Sequence, residues 1–150
     1  MRAIDADLGS SLRALIEKEA IEQTLLRYAS SIDVKDWETL GNTFCADGAA
    51  TLASGEVLSG RDVILDYIRT ATAGRAWQHH LINVYHVDID GDEASALTYH
   101  TSHQVAAEDP DRALVLVARY HDRLRREADG AWRISEKVLE VGWREERSRR

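Results

Sequence analysis

The sequence predicts an α+β domain, with helices in its first half and a curved antiparallel sheet in its second half. Over residues 8–28, apolar residues recur at intervals of three and four, which is typical of a helix with one buried stripe. After residue 76, four long strand-like runs follow one another with short connections, so neighbouring strands should be antiparallel. Helices segregated from a strand meander define the α+β class.

The first half contains three predicted helices. The stripe of the first helix is Leu8, Leu12, Leu15, Ile16, Ala20, Ile21, Leu25 and Tyr28. Ser10 or Ser11 is a candidate for its N-cap. Residues 35–40 predict a second, short helix that stops near Gly41, and residues 62–74 a third that ends at a glycine.

Between the second and third helices the sequence predicts a turn and a small hairpin. Residues 44–48 end in Asp-Gly, a strong turn signal. Residues 49–53 and 57–58 then favour two short strands joined across Ser54 and Gly55.

The second half predicts four strands, at residues 77–89, 94–106, 114–124 and 131–143. Asp-Gly turns punctuate two of the connections, and the remaining connection holds Pro110. A strongly curved sheet wrapped around the helices would form a cone with a pocket inside. We find no linker or internal repeat and expect one domain over residues 1–150.

Composition and charge narrow the function classes. The net charge of −7 and the pI near 5.3 argue against nucleic acid as a partner, since phosphates require a basic surface. No apolar run is long enough to cross a bilayer, and the first twenty residues lack the apolar core of a signal peptide. Cys45, the single cysteine, favours a reducing compartment, so we expect a cytoplasmic protein without membrane association.

A sparse set of polar residues suggests proton-transfer chemistry. Tyr28 and Asp33 close the first helix, His79 and His80 open the first long strand, and His103 lies in the next strand. A carboxylate that orients an imidazole makes a general base, and a nearby phenol can act as a proton donor. Strand side chains alternate between faces, so only one of the two adjacent histidines can enter a pocket.

The spacing to Asn83 selects His79 for the pocket. Trp77 and Asn83 have the same strand parity as His79, so they are candidate substrate-binding residues on the same face. Simpler roles stay open: Asp33 could cap the second helix, and Tyr28 could pack its ring in the core.

Other chemistries have weaker support. The histidines lack the i, i+2 strand spacing or the i, i+4 helix spacing of metal ligands, so we expect no metal site. A Gly-x-Ser-x-Gly elbow, a phosphate-binding glycine loop and a dinucleotide fingerprint are missing from the sequence. The sequence therefore predicts a protein without a cofactor, and Cys45 is expected to be a buried structural thiol.

Several short motifs, taken in order, resemble the SnoaL-like group of the NTF2-like superfamily. They are Tyr28-x4-Asp33, Asp36-Trp37-x2-Leu40, Phe44-x2-Asp47-Gly48, His79-x3-Asn83-Val84, Asp90-Gly91-Asp92-x-Ala94 and Asp129-Gly130-x-Trp132-x-Ile134. The resemblance covers nearly the whole chain. It implies a cone-shaped α+β barrel with a pocket that needs no cofactor.

Relatives within this group include scytalone dehydratase, hexachlorocyclohexane dehydrochlorinase and bile acid 7α-dehydratase. The resemblance implies that Asp33 pairs with His79 as a general base, and that Tyr28 and His103 assist as further catalytic residues. The leading hypothesis is a cofactor-independent lyase, of the dehydratase kind, or an isomerase that acts on a small, mainly apolar cyclic substrate. Fold does not settle function, so two alternatives stay open.

One alternative is a small-molecule-binding or assembly module that keeps the pocket without catalysis. The other is an epoxide hydrolase, for which Arg119 and Asp122 are the strand candidates, although strand alternation puts them on opposite faces. Apolar residues on both faces of the third long strand suggest burial on both sides. We therefore expect a homo-oligomer, a dimer or a trimer, packed through the sheet.

Overall fold

The computed structural model describes the backbone of residues 2–148 and the side chains of residues 8–148. Three helices are present in the described part of the chain: α1 (Arg2–Val34), α2 (Trp37–Asn42) and α3 (Arg61–Thr72). Six strands are present in the same part: β1 (Phe44–Thr51), β2 (Val57–Ser59), β3 (Arg75–Asp90), β4 (Glu93–Ala106), β5 (Arg112–Arg126) and β6 (Trp132–Ser148). The predicted α+β class is confirmed.

Helix α1 is longer than predicted and only its second half is buried. It already runs through Ser10 and Ser11, so neither residue is an N-cap. The N-terminal part of the predicted stripe is solvent-exposed, as Leu12 (55% exposed) shows, whereas Ile21 and Leu25 are fully buried. The periodicity therefore marked a helix correctly but overstated how much of it the core covers. None of the described helices is long and apolar enough to span a bilayer.

The predicted turn at residues 44–48 is wrong, because this segment is the first part of strand β1. Its pairing with β6 is parallel and shifts register between Phe44 and Ala49, which is the signature of a bulge. Gly48 lies in this bulge, where a Cβ atom would approach two backbone carbonyl oxygens, those of Cys45 and Ile134, at 3.0 and 3.1 Å. The Asp-Gly pair thus marks a kink in a strand.

The sheet order is β2-β1-β6-β5-β4-β3. Strands β3 to β6 form the predicted antiparallel meander, and β1 and β2 form the predicted hairpin. Strand β1 joins the far edge of the meander by its parallel pairing with β6, a connection that the sequence did not predict. The sheet is therefore mixed and open, and its strands curl around the helices.

The two faces of the meander differ in burial, and we call the face packed against the helices the inner face. The inner residues follow registered rows across the strands, for example Val87, Ala96, Asp122 and Lys137. The fully buried core between this face and the helices contains Ile21, Leu25, Leu40, Phe44, Ile64, Leu124 and Ile134. The outer face exposes large side chains to solvent.

Candidate active site

Asp33 and His80 form a hydrogen-bonded pair at the end of α1. The Oδ2 atom of Asp33 accepts the backbone N–H of His80 at 2.9 Å, and its Oδ1 atom lies 2.5 Å from Nδ1 of the same residue. Helix α1 stops just after Asp33 because Lys35 adopts a left-handed conformation, with φ of 58°. Asp36 caps α2 through the N–H of Thr39, so Asp33 is not the helix cap.

The carboxylate fixes which nitrogen of His80 can act as a base. An ionised carboxylate only accepts hydrogen bonds, so Nδ1 carries the proton and Nε2 keeps its lone pair. The His80 side chain is 7% exposed and that of Asp33 is 18% exposed. The pair is therefore nearly enclosed, which favours a fixed geometry.

The predicted pairing of Asp33 with His79 is wrong, because His79 lies on the outer face. His79 packs there against Trp77, with ring centroids 5.7 Å apart, and stacks on His103 at 6.4 Å. Asn83 is exposed on the same face. The four residues thus lie on the side of the sheet away from Asp33.

Strand parity decides this outcome. Gln78 is buried and donates from Nε2 to the Ile32 carbonyl at 2.5 Å, which directs even-numbered residues of this stretch inward. Ile82 follows the same parity and packs against the core. Trp77 and Leu81 give the opposite parity an equally apolar pattern, so the alternation of β3 could not reveal which face is buried.

His100 is the histidine of β4 that enters the site, in place of His103. Its ring stacks on His80 with centroids 5.1 Å apart and lies 4.9 Å from the ring of Tyr120. It is 2% exposed, and neither ring nitrogen has a hydrogen-bond partner among the described residues. Burial, aided by the nearby His80 ring and Lys137, lowers the pKa of His100 to about 3, so it is a neutral imidazole.

Tyr28 lies in the interior as part of an aromatic cluster. Its ring makes edge contacts with Phe44 at 5.8 Å and with Tyr120 at 5.7 Å. Burial raises the pKa of Tyr28 well above its ordinary value and also raises that of Tyr120. Both phenols therefore keep their protons at neutral pH and can act as hydrogen-bond donors.

A buried lysine accompanies these tyrosines and was not predicted from the sequence. Lys137 Nζ lies 4.0 Å from the ring centroid of Tyr120 and 4.2 Å from that of Tyr28, within cation–π range. It forms an ion pair of 2.7 Å with Asp122, and both side chains are at most 5% exposed. Lys137 occupies an inward position of β6, but its neighbour Glu136 is also charged and only half-exposed, so the sequence shows no apolar–polar alternation that would reveal this.

The ion pair opposes the effects of burial on both partners. Burial lowers the pKa of Lys137, and Asp122 acts to raise it. Burial raises the pKa of Asp122, and Lys137 acts to lower it. The Oδ2 atom of Asp122 has no hydrogen-bond partner among the described residues, so this carboxylate can accept a further hydrogen bond.

An interior cavity of about 540 Å³ adjoins these groups. Tyr28, Tyr120 and Lys137 line it, together with mainly apolar side chains from α3, the β1–β2 hairpin and the sheet. Leu116 also lines the cavity. It pairs across the sheet with Ser102, which in turn pairs with His80. This volume suits a small cyclic molecule.

A second, open groove of about 710 Å³ lies between α1, α2 and the β5–β6 turn. Thr24, Arg27 and Arg133 line it, and neither Asp33 nor His80 lines this groove or the smaller cavity. The smaller cavity is the better candidate because it combines apolar walls with convergent polar groups.

The remaining sequence candidates take structural roles. Cys45 is fully buried, and burial raises its pKa to about 12, as expected for an inert thiol. Arg119 pairs with Glu140 at 3.6 Å on the outer face, across the sheet from Asp122. The described residues include no cluster of three or more His, Cys, Asp or Glu side chains that could hold a metal ion.

The helices packed against the curled, open sheet are consistent with the NTF2-like class of α+β cone folds. Residues 13–138 match the family model of the SnoaL-like domain, and the chain belongs to this family. The resemblance inferred from the sequence motifs is thereby confirmed. No curated protein matches the chain significantly.

Solved structures share the fold at low sequence identity. A protein of Novosphingobium aromaticivorans DSM 12444 named as a scytalone dehydratase is 20% identical with a TM-score of 0.80, covering 88% of both chains. The hexachlorocyclohexane dehydrochlorinase LinA-type3 of Novosphingobium barchaimii LL02 is 16% identical with a TM-score of 0.80, covering 91% of this chain and 93% of the other. Rv3472 of Mycobacterium tuberculosis, a protein of unknown function, is 26% identical with a TM-score of 0.74, covering 85% of this chain and 77% of the other.

Proposed function

We propose that the protein is a cofactor-independent lyase of the dehydratase kind, or an isomerase, that acts on a small, mainly apolar cyclic substrate. The observation that carries this proposal is the pair of hydrogen bonds that Asp33 accepts from His80, which leaves Nε2 free as a base two strands from the cavity-wall residue Leu116. The names of two structural neighbours, a dehydratase and a dehydrochlorinase, are consistent with elimination chemistry.

In the dehydration, His80 Nε2 removes a proton from the carbon next to a carbonyl group of the substrate. The electron pair of that C–H bond moves onto the carbonyl oxygen, and an enolate forms. Asp33 stabilises the imidazolium without becoming protonated itself. The C–O bond to the β-hydroxyl group then breaks, the enolate electrons form the new C=C bond, and the imidazolium returns its proton so that water leaves.

The enolate needs hydrogen-bond donors or a positive charge close to its oxygen. Tyr28 and Tyr120 supply protonated phenols at the cavity wall, and Lys137 supplies a buried ammonium group. His100, held neutral beside His80, can orient the departing hydroxyl group without competing for the proton. For an isomerase the same enolate would be reprotonated at another carbon.

The adjacent histidines provide a matched experiment. The wild-type protein, His80→Gln and His79→Gln should be assayed with cyclic β-hydroxyketones by the absorbance of the conjugated product, and in D2O by loss of the α-proton signal. We expect His80→Gln to lower the rate by about 10²–10⁴-fold, the usual contribution of a general base, and His79→Gln to leave it within about three-fold. Circular dichroism should confirm that both variants fold.

The outcomes separate the function classes. Equal loss of rate in both variants would contradict a role specific to His80. Ligand binding by the wild-type protein without proton exchange, across the panel, would favour the alternative of a non-catalytic binding module. Incorporation of oxygen from labelled water into an epoxide substrate would instead support hydrolysis.

We also propose that the protein is a homo-oligomer, a dimer or a trimer, packed through the outer face of the sheet. This face exposes several large apolar side chains, including Trp77 (56%), Leu81 (52%), Tyr85 (57%) and Trp143 (55%). Contiguous apolar surface of this kind marks interaction sites in soluble proteins. Light scattering should give a multiple of the 16.9 kDa chain mass, and Leu81→Asp should shift it to the monomer.

A further inference from the structure

The cavity opens at a rim that is rich in arginine. Of the described residues that line the cavity, four are charged: the cations Arg75, Lys137 and Arg144, and the anion Glu56. Lys137 already has Asp122 at 2.7 Å. This excess of positive charge stands out in a chain with a net charge of −7.

The rim arginines lack carboxylate partners of their own. Among the described residues, neither Arg75 nor Arg144 forms an ion pair with a carboxylate. Glu146, the acidic residue nearest to this rim on β6, is hydrogen-bonded to Arg112. Arg75, Arg112 and Glu146 line one small neighbouring pocket, and Arg112 lowers the pKa of Glu146 most, with Arg144 and Arg75 lowering it further.

Strand register connects the rim to the proposed base. His80, Ser102, Leu116 and Arg144 form one row across β3, β4, β5 and β6. Three strand spacings of about 4.8 Å separate its ends along the sheet, and the curl shortens the straight-line distance. Leu116 and Arg144 of this row line the cavity, so a molecule bound at Arg144 lies on the same inner face as the proposed base.

We propose that the cavity takes an anionic cyclic substrate, whose carboxylate binds at the rim between Arg75 and Arg144 while its ring enters the apolar interior. Guanidinium groups suit this role because they bind carboxylates through paired, charge-assisted hydrogen bonds. The inference rests on the proposed function for the identity of the ligand as a substrate, but carboxylate binding itself does not require catalysis.

Matched ligands can test the recognition of the acid group. Naphthalene-2-carboxylate and naphthalene-2-carboxamide share a ring system and differ in charge, so titration calorimetry of both gives the contribution of the carboxylate. We expect the wild-type protein to bind the acid at least about ten-fold more tightly than the amide, as charge-assisted hydrogen bonds should provide. Arg75→Gln and Arg144→Gln should each reduce this preference about three-fold or more, and the double variant should abolish it.

Arg123→Gln serves as the control, because Arg123 is exposed on the outer face, where it pairs with Glu136 at 3.5 Å. It changes the net charge equally and should leave the acid preference unchanged. Equal binding of acid and amide, no binding of either at millimolar concentration, or a preference that persists in the double variant would overturn the proposal.

His80→Gln separates this inference from the proposed function. The variant should keep the acid preference although it lacks the base. If the protein prefers the acid in all assays but exchanges no proton with acidic substrates, the carboxylate site is supported and the proposed lyase function is contradicted. Turnover of neutral substrates without any preference for the acid would support the lyase function and contradict the carboxylate site.

Discussion

Asp33 holds His80 at two atoms, the backbone nitrogen at 2.9 Å and the ring Nδ1 at 2.5 Å. The backbone contact fixes where strand β3 passes the end of α1, and the ring contact fixes the rotamer and the tautomer of the imidazole. One carboxylate thus sets both the position and the protonation pattern of the candidate base. Stability and activity should respond differently when it is changed.

Asp33→Asn should lower turnover far more than it lowers stability. The amide can still accept the backbone N–H of His80, but it cannot stabilise an imidazolium and can present its NH2 group to Nδ1. We expect a loss of about 10²–10⁴-fold in kcat, with the free energy of unfolding reduced by about 1–2 kcal/mol. Steady-state kinetics and urea unfolding measure the two quantities. A variant with unchanged kcat would contradict the role of Asp33.

The buried ion pair predicts a double-mutant cycle. Lys137→Met leaves a buried carboxylate without its partner, and Asp122→Leu leaves a buried ammonium, so each should cost about 3–5 kcal/mol in the free energy of unfolding. The double variant should recover most of this loss, because two apolar side chains replace two desolvated charges. Single variants that cost less than about 1 kcal/mol would indicate that the pair is solvated in solution.

His100 predicts a specific loss of stability in acid. Its pKa of about 3 in the folded state lies below the ordinary value of 6.5, so between these values the unfolded chain binds a proton that the folded protein does not. Stability therefore falls as the pH drops from 6.5 towards 3, by on the order of 1 kcal/mol per pH unit from this group.

His100→Phe should flatten this dependence, because the variant has no group to titrate at that position. Urea unfolding at a series of pH values between 7 and 4 compares the two slopes. Subtracting the slope of the variant from that of the wild-type protein removes the contributions of Asp122 and the other carboxyl groups that both proteins share. Identical slopes would show that His100 is protonated without cost in the folded state.

Helix α1 predicts a contrast between its two halves. Leu25 is 1% exposed and Leu12 is 55% exposed, although both belong to the same apolar stripe. Leu25→Ala should cost about 2–5 kcal/mol in the free energy of unfolding, since it opens a cavity in the core. Leu12→Ala should change this free energy by less than about 0.5 kcal/mol. A large effect at Leu12 would show that another chain covers this surface in solution.

Local patterns in the sequence predicted where helices and strands lie better than they predicted which residues are buried and which strands pair. The meander and the α1 period were visible because short connections and apolar spacing are local properties. The extra length of α1 could not be predicted, because its first half is helical although it packs against no core. The parallel pairing of β1 with β6 depends on how distant segments meet, which no local pattern encodes.

The same distinction applies to the site. Asp33 and Tyr28 were identified from the residues that end α1, and both lie beside the interior. The choice between His79 and His80 depended on the inward face of β3, where both parities carry large apolar residues. Choosing His79 by its spacing to Asn83 also selected Trp77, which shares its face, whereas His103 came from the family resemblance. One error of parity therefore accounts for His79, Trp77 and Asn83, but not for His103.

The parallel pairing of Phe44 with Ile134 has a consequence for the order of folding. The meander consists of neighbouring strands and can form through short-range contacts, whereas β1 must close a loop of about ninety residues, which costs more chain entropy. We therefore expect the late stage of folding to bring the helices onto a sheet that already exists. Refolding experiments should then show the β-sheet signal before Asp33 reaches His80, with activity the last property to return.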